Sequence, residues 1–376
     1  MSRSSRSSRI SLLVFALILA LAACKLALPP NAPPTPTVTD PALGPNAFEP
    51  IPLPVGFGAD GGWIEIYFTD PANPLGGDLR GGPDERLAAA IREARLSVDV
   101  AAYSLNLWSI RDALLDAHNR GVLVRVVMES TNLDKSVPQE LKDAGIPMLG
   151  DRREGLMHDK FVVIDRAEVW LGSMNFTTNG AYDDNNNLIR IRSTKVAENY
   201  TTEFDEMFVD DQFGTDRVPR TPYPSLTVNG VALEIYFSPD DGVAEHLVGL
   251  LNNADESILF MAYSFTADDL GEAIRSRALE GVTVAGVMEE SQFKSNIGTE
   301  YDPFKQAGLD VRLDGNEGLM HHKVIVIDRS IVVTGSYNFS ASAEDRNDEN
   351  VIIFYSPEIA ELFLAEFGRV YEEAQP

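Results

Sequence analysis

The chain is poor in the residues that build disulfides and metal sites: among 376 residues there is one cysteine, Cys24, and there are five histidines. A lone cysteine excludes an internal disulfide scaffold and a cysteine-based zinc site. Basic charge is also scarce. Against 57 Asp and Glu stand 31 Lys and Arg, a net charge of −26. An acidic body repels polyanions at long range, which excludes nucleic-acid binding driven by overall charge but leaves room for a local basic groove. Beyond residue 23 no apolar run reaches the roughly 18 residues of a membrane-spanning helix. What is present is 44% hydrophobic residues, enough for packed cores, and a length that suits two domains at the usual roughly 150 residues each.

The first 23 residues differ from the rest. Arg3, Arg6 and Arg9 precede the run ISLLVFALILALAA, the form of a signal peptide. Its 14 residues fall short of the roughly 18 to 20 that cross a bilayer. Cys24 follows Leu21-Ala22-Ala23, which resembles the lipobox of bacterial lipoproteins. That resemblance implies a diacylated Cys24 at the mature N-terminus, and a protein exported and anchored to the cell envelope. The mature body would carry 28 basic and 57 acidic residues, a charge of −29. Residues 24–61 are expected to form an extended spacer, because ten of the 22 prolines fall between positions 25 and 60 and little there can build a core.

The remainder is written twice. EGLMH occupies residues 154–158 and again 317–321, and the copies continue as EGLMHDKFVVIDRAEVWLGSMNF and EGLMHHKVIVIDRSIVVTGSYNF. Upstream, Glu65-Ile66-Tyr67-Phe68 recurs as Glu234-Ile235-Tyr236-Phe237, Ala102-Tyr103-Ser104 as Ala262-Tyr263-Ser264, and Val127-Met128-Glu129 as Val287-Met288-Glu289. Domains are expected at 62–212 and 229–376, joined by a linker at 213–228. In each half, amphipathic helical stretches alternate with strand-like runs such as SVDVAAYSL and VLVRVVME. This pattern predicts an α/β fold with parallel or mixed sheets flanked by helices. The aromatic residues of EIYF and AYS read as strand positions facing the core.

The polar residues of the repeat define the candidate chemistry. His158, Lys160 and Asp165 are followed by Ser173 and Asn175; His321, Lys323 and Asp328 are followed by Ser336 and Asn338. With eight lysines in the chain, two falling in this register by accident is improbable. Cleaving a phosphodiester without a metal requires cations for the non-bridging oxygens, a nucleophile and an acid for the leaving alkoxide. The lysines offer the charge, Ser173, Asn175, Ser336 and Asn338 offer neutral donors, and imidazoles titrating near neutrality offer base and acid. No cofactor or metal is expected.

Two HxKxxxxD motifs with GSxN resemble the phospholipase D superfamily, over essentially everything from residue 62 onward. The resemblance implies two pseudo-twofold-related domains that bring His158 and His321 to opposite sides of one phosphorus, a covalent phosphohistidine, and a supporting role for Asp165 and Asp328. It also implies a carboxylate on the catalytic imidazole of the opposite half. Glu349 lies 28 residues after His321, and at that offset from His158 the first half has Asn186. Glu349 would then back His158 as nucleophile, leaving His321 as the acid, unless a slip brings Asp183 or Asp184 into the role.

His118, His246 and His322 read as packed or surface residues. The expected substrate is a glycerophospholipid, hydrolysed to phosphatidate and a free headgroup, with the anchor holding the enzyme at its membrane. The alternative is an anchored endonuclease guided by Lys135, Arg152, Arg153 and Lys294. A binding protein that has lost catalysis is the third reading. Since one chain carries both motifs, a monomer with no obligate protein partner is expected.

Overall fold

The computed structural model describes residues 47–374 apart from residue 217. The signal peptide at 1–23 and Cys24 lie outside the described residues. Each half of the repeat builds one mixed sheet. The first has nine strands in the order Glu49–Ile51, Phe57–Asp60, Ile64–Phe68, Asn187–Arg192, Glu168–Gly172, Lys160–Ile164, Ser97–Ala102, Leu123–Met128 and Met148–Gly150. The second has eight, running from Ser225–Val228 and Val231–Ser238 through Glu349–Tyr355, Ile331–Gly335, Lys323–Ile327, Ser257–Ala262 and Thr283–Met288 to Asp310–Leu313. In both, the last three strands in space pair in parallel and the others antiparallel.

Packing follows from which faces are apolar. The strands KFVVI and KVIVI are buried at every position, as expected of strands covered on both faces. Outer faces are covered in the first half by Pro83–Glu93 and Trp108–Asn119, and in the second by Val243–Asn252 and Asp268–Leu279. The inner faces, with Thr194–Phe208 and Pro357–Glu373, share one core in which Phe161, Tyr200 and Phe204 of the first half join Phe237, Ile352 and Phe363 of the second. The halves therefore bury apolar surface against each other, and truncating Phe363 to Ala is expected to cost about 3–5 kcal/mol.

Two boundary expectations need correcting. Residues 49–51 and 57–60 belong to the first sheet, not to a spacer. Pro50 sits in the outermost strand, where a residue without an N–H can be accommodated, so the proline content concealed a strand. Within 213–228, Ser225–Val228 pairs with the following strand across Asn229 and Gly230, both at positive φ. Asn-Gly between apolar residues is the usual signature of a tight hairpin, so this signal was legible.

The histidine–lysine segments and the residues that face them leave the sheets at one end of the strands. Lys160 pairs with Ala102, Phe68 with Asn187, and Gly172 with Leu188; in the second half Lys323 pairs with Ala262 and Ser238 with Glu349.

Candidate active site

The two EGLMH loops are held against the opposite half. The His158 N–H donates to the Asp348 carbonyl at 3.0 Å, and the His321 N–H to that of Asn185, also at 3.0 Å. The loops approach closely enough to require glycine. A Cβ at Gly155 would lie 2.0 Å from the Arg346 carbonyl oxygen, and one at Gly318 would lie 1.9 Å from that of Asp183. Carboxylates fix each loop from its own half: Glu129 accepts the Met157 N–H at 3.2 Å, and Glu289 the Met320 N–H at 2.7 Å. Neither acid was read as a site residue, although each closes a repeated Val-Met-Glu.

The imidazoles differ in their partners. His158 Nδ1 lies 2.7 Å from Glu349 Oε2, and His321 Nδ1 lies 2.9 Å from Asn186 Oδ1. Asp184 instead accepts the Leu319 N–H at 3.1 Å, so no slip brings a carboxylate onto His321. A ring whose Nδ1–H is held by an oxygen presents Nε2 with its lone pair. Ser173 donates to Asn186 Oδ1 at 2.9 Å and Ser336 to the Glu349 carboxylate. These hydroxyls therefore position the histidine partners, a role distinct from the phosphate contact expected of them. Asn175 and Asn338 are half-buried, and their amide oxygens have no partner among the described residues. The glycine of GSxN has its own cause: at Gly172 and Gly335, with φ 144° and 147°, a Cβ would meet the carbonyl oxygens of Asn187 and Asn350.

Lys160 and Lys323 are buried. Each donates from Nζ to the carbonyl of the histidine two residues before it. Their Nζ atoms lie 5.2 Å and 4.7 Å from the ring centres of Tyr103 and Tyr263. Those tyrosines in turn pack edge-on against His158 and His321, at 4.9 Å and 4.6 Å. They are half-buried, so AYS supplies a wall of the site and not core residues. The EIYF aromatics Tyr67, Phe68, Tyr236 and Phe237 are buried, as read.

Burial sets the protonation states. Both imidazoles are pushed well below the ordinary histidine value, first by burial and then by the Lys160 and Lys323 charges. Burial brings Lys160 down to about 8, and burial with the neighbouring Lys160 charge takes Lys323 well below the usual lysine value. Burial also lifts Glu349 to about 7. Burial and the lysine charges thus bias both imidazoles toward the neutral form, beside two buried lysines whose charge is supported by the neighbouring Glu349; a phosphate entering between them adds negative charge, which favours the protonated form of lysine and imidazole alike.

Asp165 and Asp328 are not in the site. Each stands at the far end of its strand, five residues beyond the lysine, or about 16 Å at the usual rise. The Asp165 carboxylate accepts the N–H groups of Arg95, Leu96 and Ser97, and Asp328 those of Asp255, Glu256 and Ser257. Although burial pushes Asp328 upward, these donors hold it below the usual carboxylate range. Both aspartates and the arginines after them have positive φ, a conformation that costs roughly 1–2 kcal/mol per residue and that the triple acceptance offsets. They are structural residues of a tight turn.

Of the remaining histidines, His322 is buried, with Nε2 2.9 Å from Glu366 and Nδ1 3.2 Å from the Asn187 amide nitrogen. His246 is exposed and stacked on Tyr236, and His118 is half-buried. Of the expected basic guides, Arg152 is paired with Asp211 and Lys294 with Glu290.

Comparisons with known proteins bear on this geometry. The family model described as cardiolipin synthase, PLD-like domain, matches residues 87–208 and 247–371. A protein named phospholipase D from Rickettsia typhi is 36% identical over 128 residues, 34% of this chain and 62% of that protein. The mitochondrial cardiolipin hydrolase of Mus musculus is 34% identical over 130 residues, 35% of this chain and 58% of the relative. The chain thus spans about 60% of the length of these curated relatives. The phosphatidylserine synthase of Haemophilus influenzae aligns over 85% of this chain and 89% of its own with a TM-score of 0.63; at 14% identity this is a likeness of fold. With both matched segments coinciding with the two halves of the repeat, the chain belongs to the phospholipase D superfamily as two PLD-like domains in one polypeptide.

Proposed function

We propose that the protein is a phosphodiesterase of the phospholipase D type, which hydrolyses a glycerophospholipid to phosphatidate and a free headgroup without a metal. The observation that carries this reading is the unequal pair of imidazoles beside two buried lysines. His158, with Glu349 on Nδ1, is the nucleophile, because a carboxylate there stabilises the positive charge that the ring gains on attack. His321, held by the Asn186 amide, is the acid, because an amide orients the ring without making it more basic.

In the first step His158 Nε2 forms a bond to phosphorus, the bond from phosphorus to the headgroup oxygen breaks, and His321 gives its proton to that oxygen. The phosphoenzyme holds phosphatidate on His158 while His321 is left neutral. In the second step His321 takes a proton from water, the hydroxide attacks, the P–N bond breaks, and phosphatidate leaves with configuration at phosphorus retained. Lys160, Lys323, Asn175 and Asn338 would hold the non-bridging oxygens throughout.

An acyl anchor on Cys24 would keep this site at the envelope membrane, and the acidic body argues against a polynucleotide. One chain supplies both histidines, so the active species would be a monomer in gel filtration. The test uses the soluble body beside His158→Ala, with chelator in excess, offered phosphatidylcholine vesicles and, separately, single- and double-stranded DNA. Headgroup release abolished in the variant supports the phospholipase; DNA cleavage with intact lipid would make the protein a nuclease instead.

A further inference from the structure

The two halves differ in length at two places. Between the EIYF strand and the helix after it stand 14 residues in the first half, 69–82, and five in the second, 238–242. Between Glu129 and Ala144 stand 14 residues, and between Glu289 and Ala307 stand 17. Elsewhere, from EIYF to Asn186 or Glu349, the repeat keeps its spacing.

Both longer segments stand at the end of the strands where the histidines lie. Thr69 opens the first and is bonded to the segment that holds His321: its N–H donates to the Asn186 carbonyl at 3.1 Å, and its hydroxyl takes the Asn186 N–H at 2.7 Å. In the second, the Asn296 amide donates to Ser264 Oγ at 3.1 Å, one residue from Tyr263.

Each longer segment carries apolar side chains into solvent. Leu75 and Leu79 are 56% and 47% exposed, and Ile297 is 98% exposed. Trp108, 71% exposed, walls a cavity of about 490 Å³ together with Leu79. It is tied to the site by the residues before it: the N–H groups of Asn106 and Leu107 donate to the carbonyl of Phe176, which follows Asn175. Apolar residues are also exposed at the other end of the strands, as at Leu96 and Leu123, where single ones need no partner. In the second half Pro-Asp-Asp-Gly takes the place of the long first loop, and Asp268 that of Trp108.

The chemistry of this rim selects the surface it meets. In the cavity Asp78, Glu85 and Asp112 outnumber Arg80 and Arg92, so no net positive charge draws an anion there. A chain of net charge −26 is repelled by an anionic surface, which leaves contact to apolar and aromatic groups. Leucine and tryptophan are the side chains that enter the boundary of a bilayer favourably, tryptophan at the level of the headgroups. His158 and His321 are buried. The phosphorus of a lipid still in its bilayer therefore reaches them only when the rim sinks to the headgroup layer.

We infer that Leu75, Leu79, Trp108 and Ile297 form a membrane-docking rim, which enters the interface of a lipid bilayer and seats the cleft over a phospholipid whose acyl chains stay in place. The inference rests on the lipid reading above and adds the surface through which the substrate is reached. It does not depend on an acyl group at Cys24.

The test uses the chain from residue 24, which contains every described element, with Cys24→Ser so that no acyl group holds it. We would measure kcat/KM on phosphatidylcholine vesicles and on dihexanoyl phosphatidylcholine below its micelle concentration. The parent is compared with Ile297→Ser and with Leu75→Ser/Leu79→Ser/Trp108→Ser, with thermal melts to confirm folding. Vesicle turnover should fall about ten- to a hundredfold in the triple variant, and less in Ile297→Ser, because apolar area is lost from the contact. Turnover of monomeric lipid should change by less than about twofold, as expected of surface substitutions. Vesicles should shift the tryptophan emission of the parent to the blue, and the triple variant should lose that shift.

Equal losses on both forms of lipid, or no loss on vesicles, overturn the rim and leave the lipid reading intact. A parent that cleaves neither form overturns the lipid reading; the rim then stands if vesicles still shift the emission of the parent and not of the triple variant, and falls otherwise. A dimeric parent and a monomeric triple variant in gel filtration would assign this face to a second copy of the chain and overturn the proposal.

Discussion

The two half-sites share a backbone and differ in charge. Both place a histidine on a loop pinned to the opposite half, a buried lysine two residues on, and a tyrosine edge-on against the ring. They diverge in four residues at the entry to the strand that closes each site: Asp183-Asp184-Asn185-Asn186 in the first half, Arg346-Asn347-Asp348-Glu349 in the second. Because each of these segments reaches across the interface, the charge written in one half acts on the histidine of the other. Duplication yields two equivalent imidazoles, and a handful of substitutions outside the motif makes them unequal. Roles in this fold are therefore set by the segment facing the histidine and not by the motif that contains it.

The largest effects should come from separating the two rings. His158→Ala is expected to abolish turnover on every substrate. His321→Ala should lose about a hundred- to ten-thousandfold, the usual worth of general acid–base catalysis, and on a p-nitrophenyl diester, whose leaving group needs no proton, should recover the first step as a burst of p-nitrophenol while hydrolysis of the phosphoenzyme stays slow. Equal behaviour of the two variants on that substrate would erase the distinction. Acid quench during turnover should find the phosphoryl group on His158; label on His321 would reverse the roles.

The partners come next. Glu349→Gln should lower kcat by more than a hundredfold, since the imidazolium formed on attack loses its carboxylate, whereas Asn186→Ala should cost about tenfold by loosening only ring orientation. A similar loss in both would mean that the carboxylate also acts only by orientation.

The pH profile sharpens the comparison further. His321 must be protonated to act as the acid, and burial lowers its pKa below 6.5. The protonated fraction therefore falls as pH rises, and kcat/KM should decline on the alkaline side from a point below the ordinary histidine value. Asn186→Asp puts a carboxylate on Nδ1, which raises that pKa. The alkaline limb should move to higher pH, and a limb that stays in place would show that it belongs to another group.

The smallest effect on rate is expected where the halves are alike. Asp165→Ala and Asp328→Ala remove the acceptor of three backbone donors at a largely exposed turn, and each should cost about 0.5–1.5 kcal/mol of stability. Melting temperature should fall, while kcat per folded molecule stays close to that of the parent. A large drop in kcat with unchanged melting would return these aspartates to the catalytic list.

Much of this was legible in one dimension. The repeat, the alternation of helix and strand, and the pairing of histidine with lysine follow from local periodicity and spacing, which depend on near neighbours in the chain. Even the unequal offset of Glu349 and Asn186 could be counted. Features with two explanations were misread: proline at 50 suits a spacer as well as an edge strand, and an aspartate five residues past a lysine suits a site as well as a turn.

The amino-acid sequence alone determined two α/β units and the residue types available for phosphoryl chemistry. Only the tertiary structure decided that Glu349 meets His158, that Tyr103 and Tyr263 line the site, that Asp165 and Asp328 stand away from it, and that Gly155 abuts Arg346 of the opposite half. The reason is distance along the chain. These contacts join residues from different elements, some of them more than 190 positions apart, and their burial shifts protonation equilibria, which no local pattern encodes.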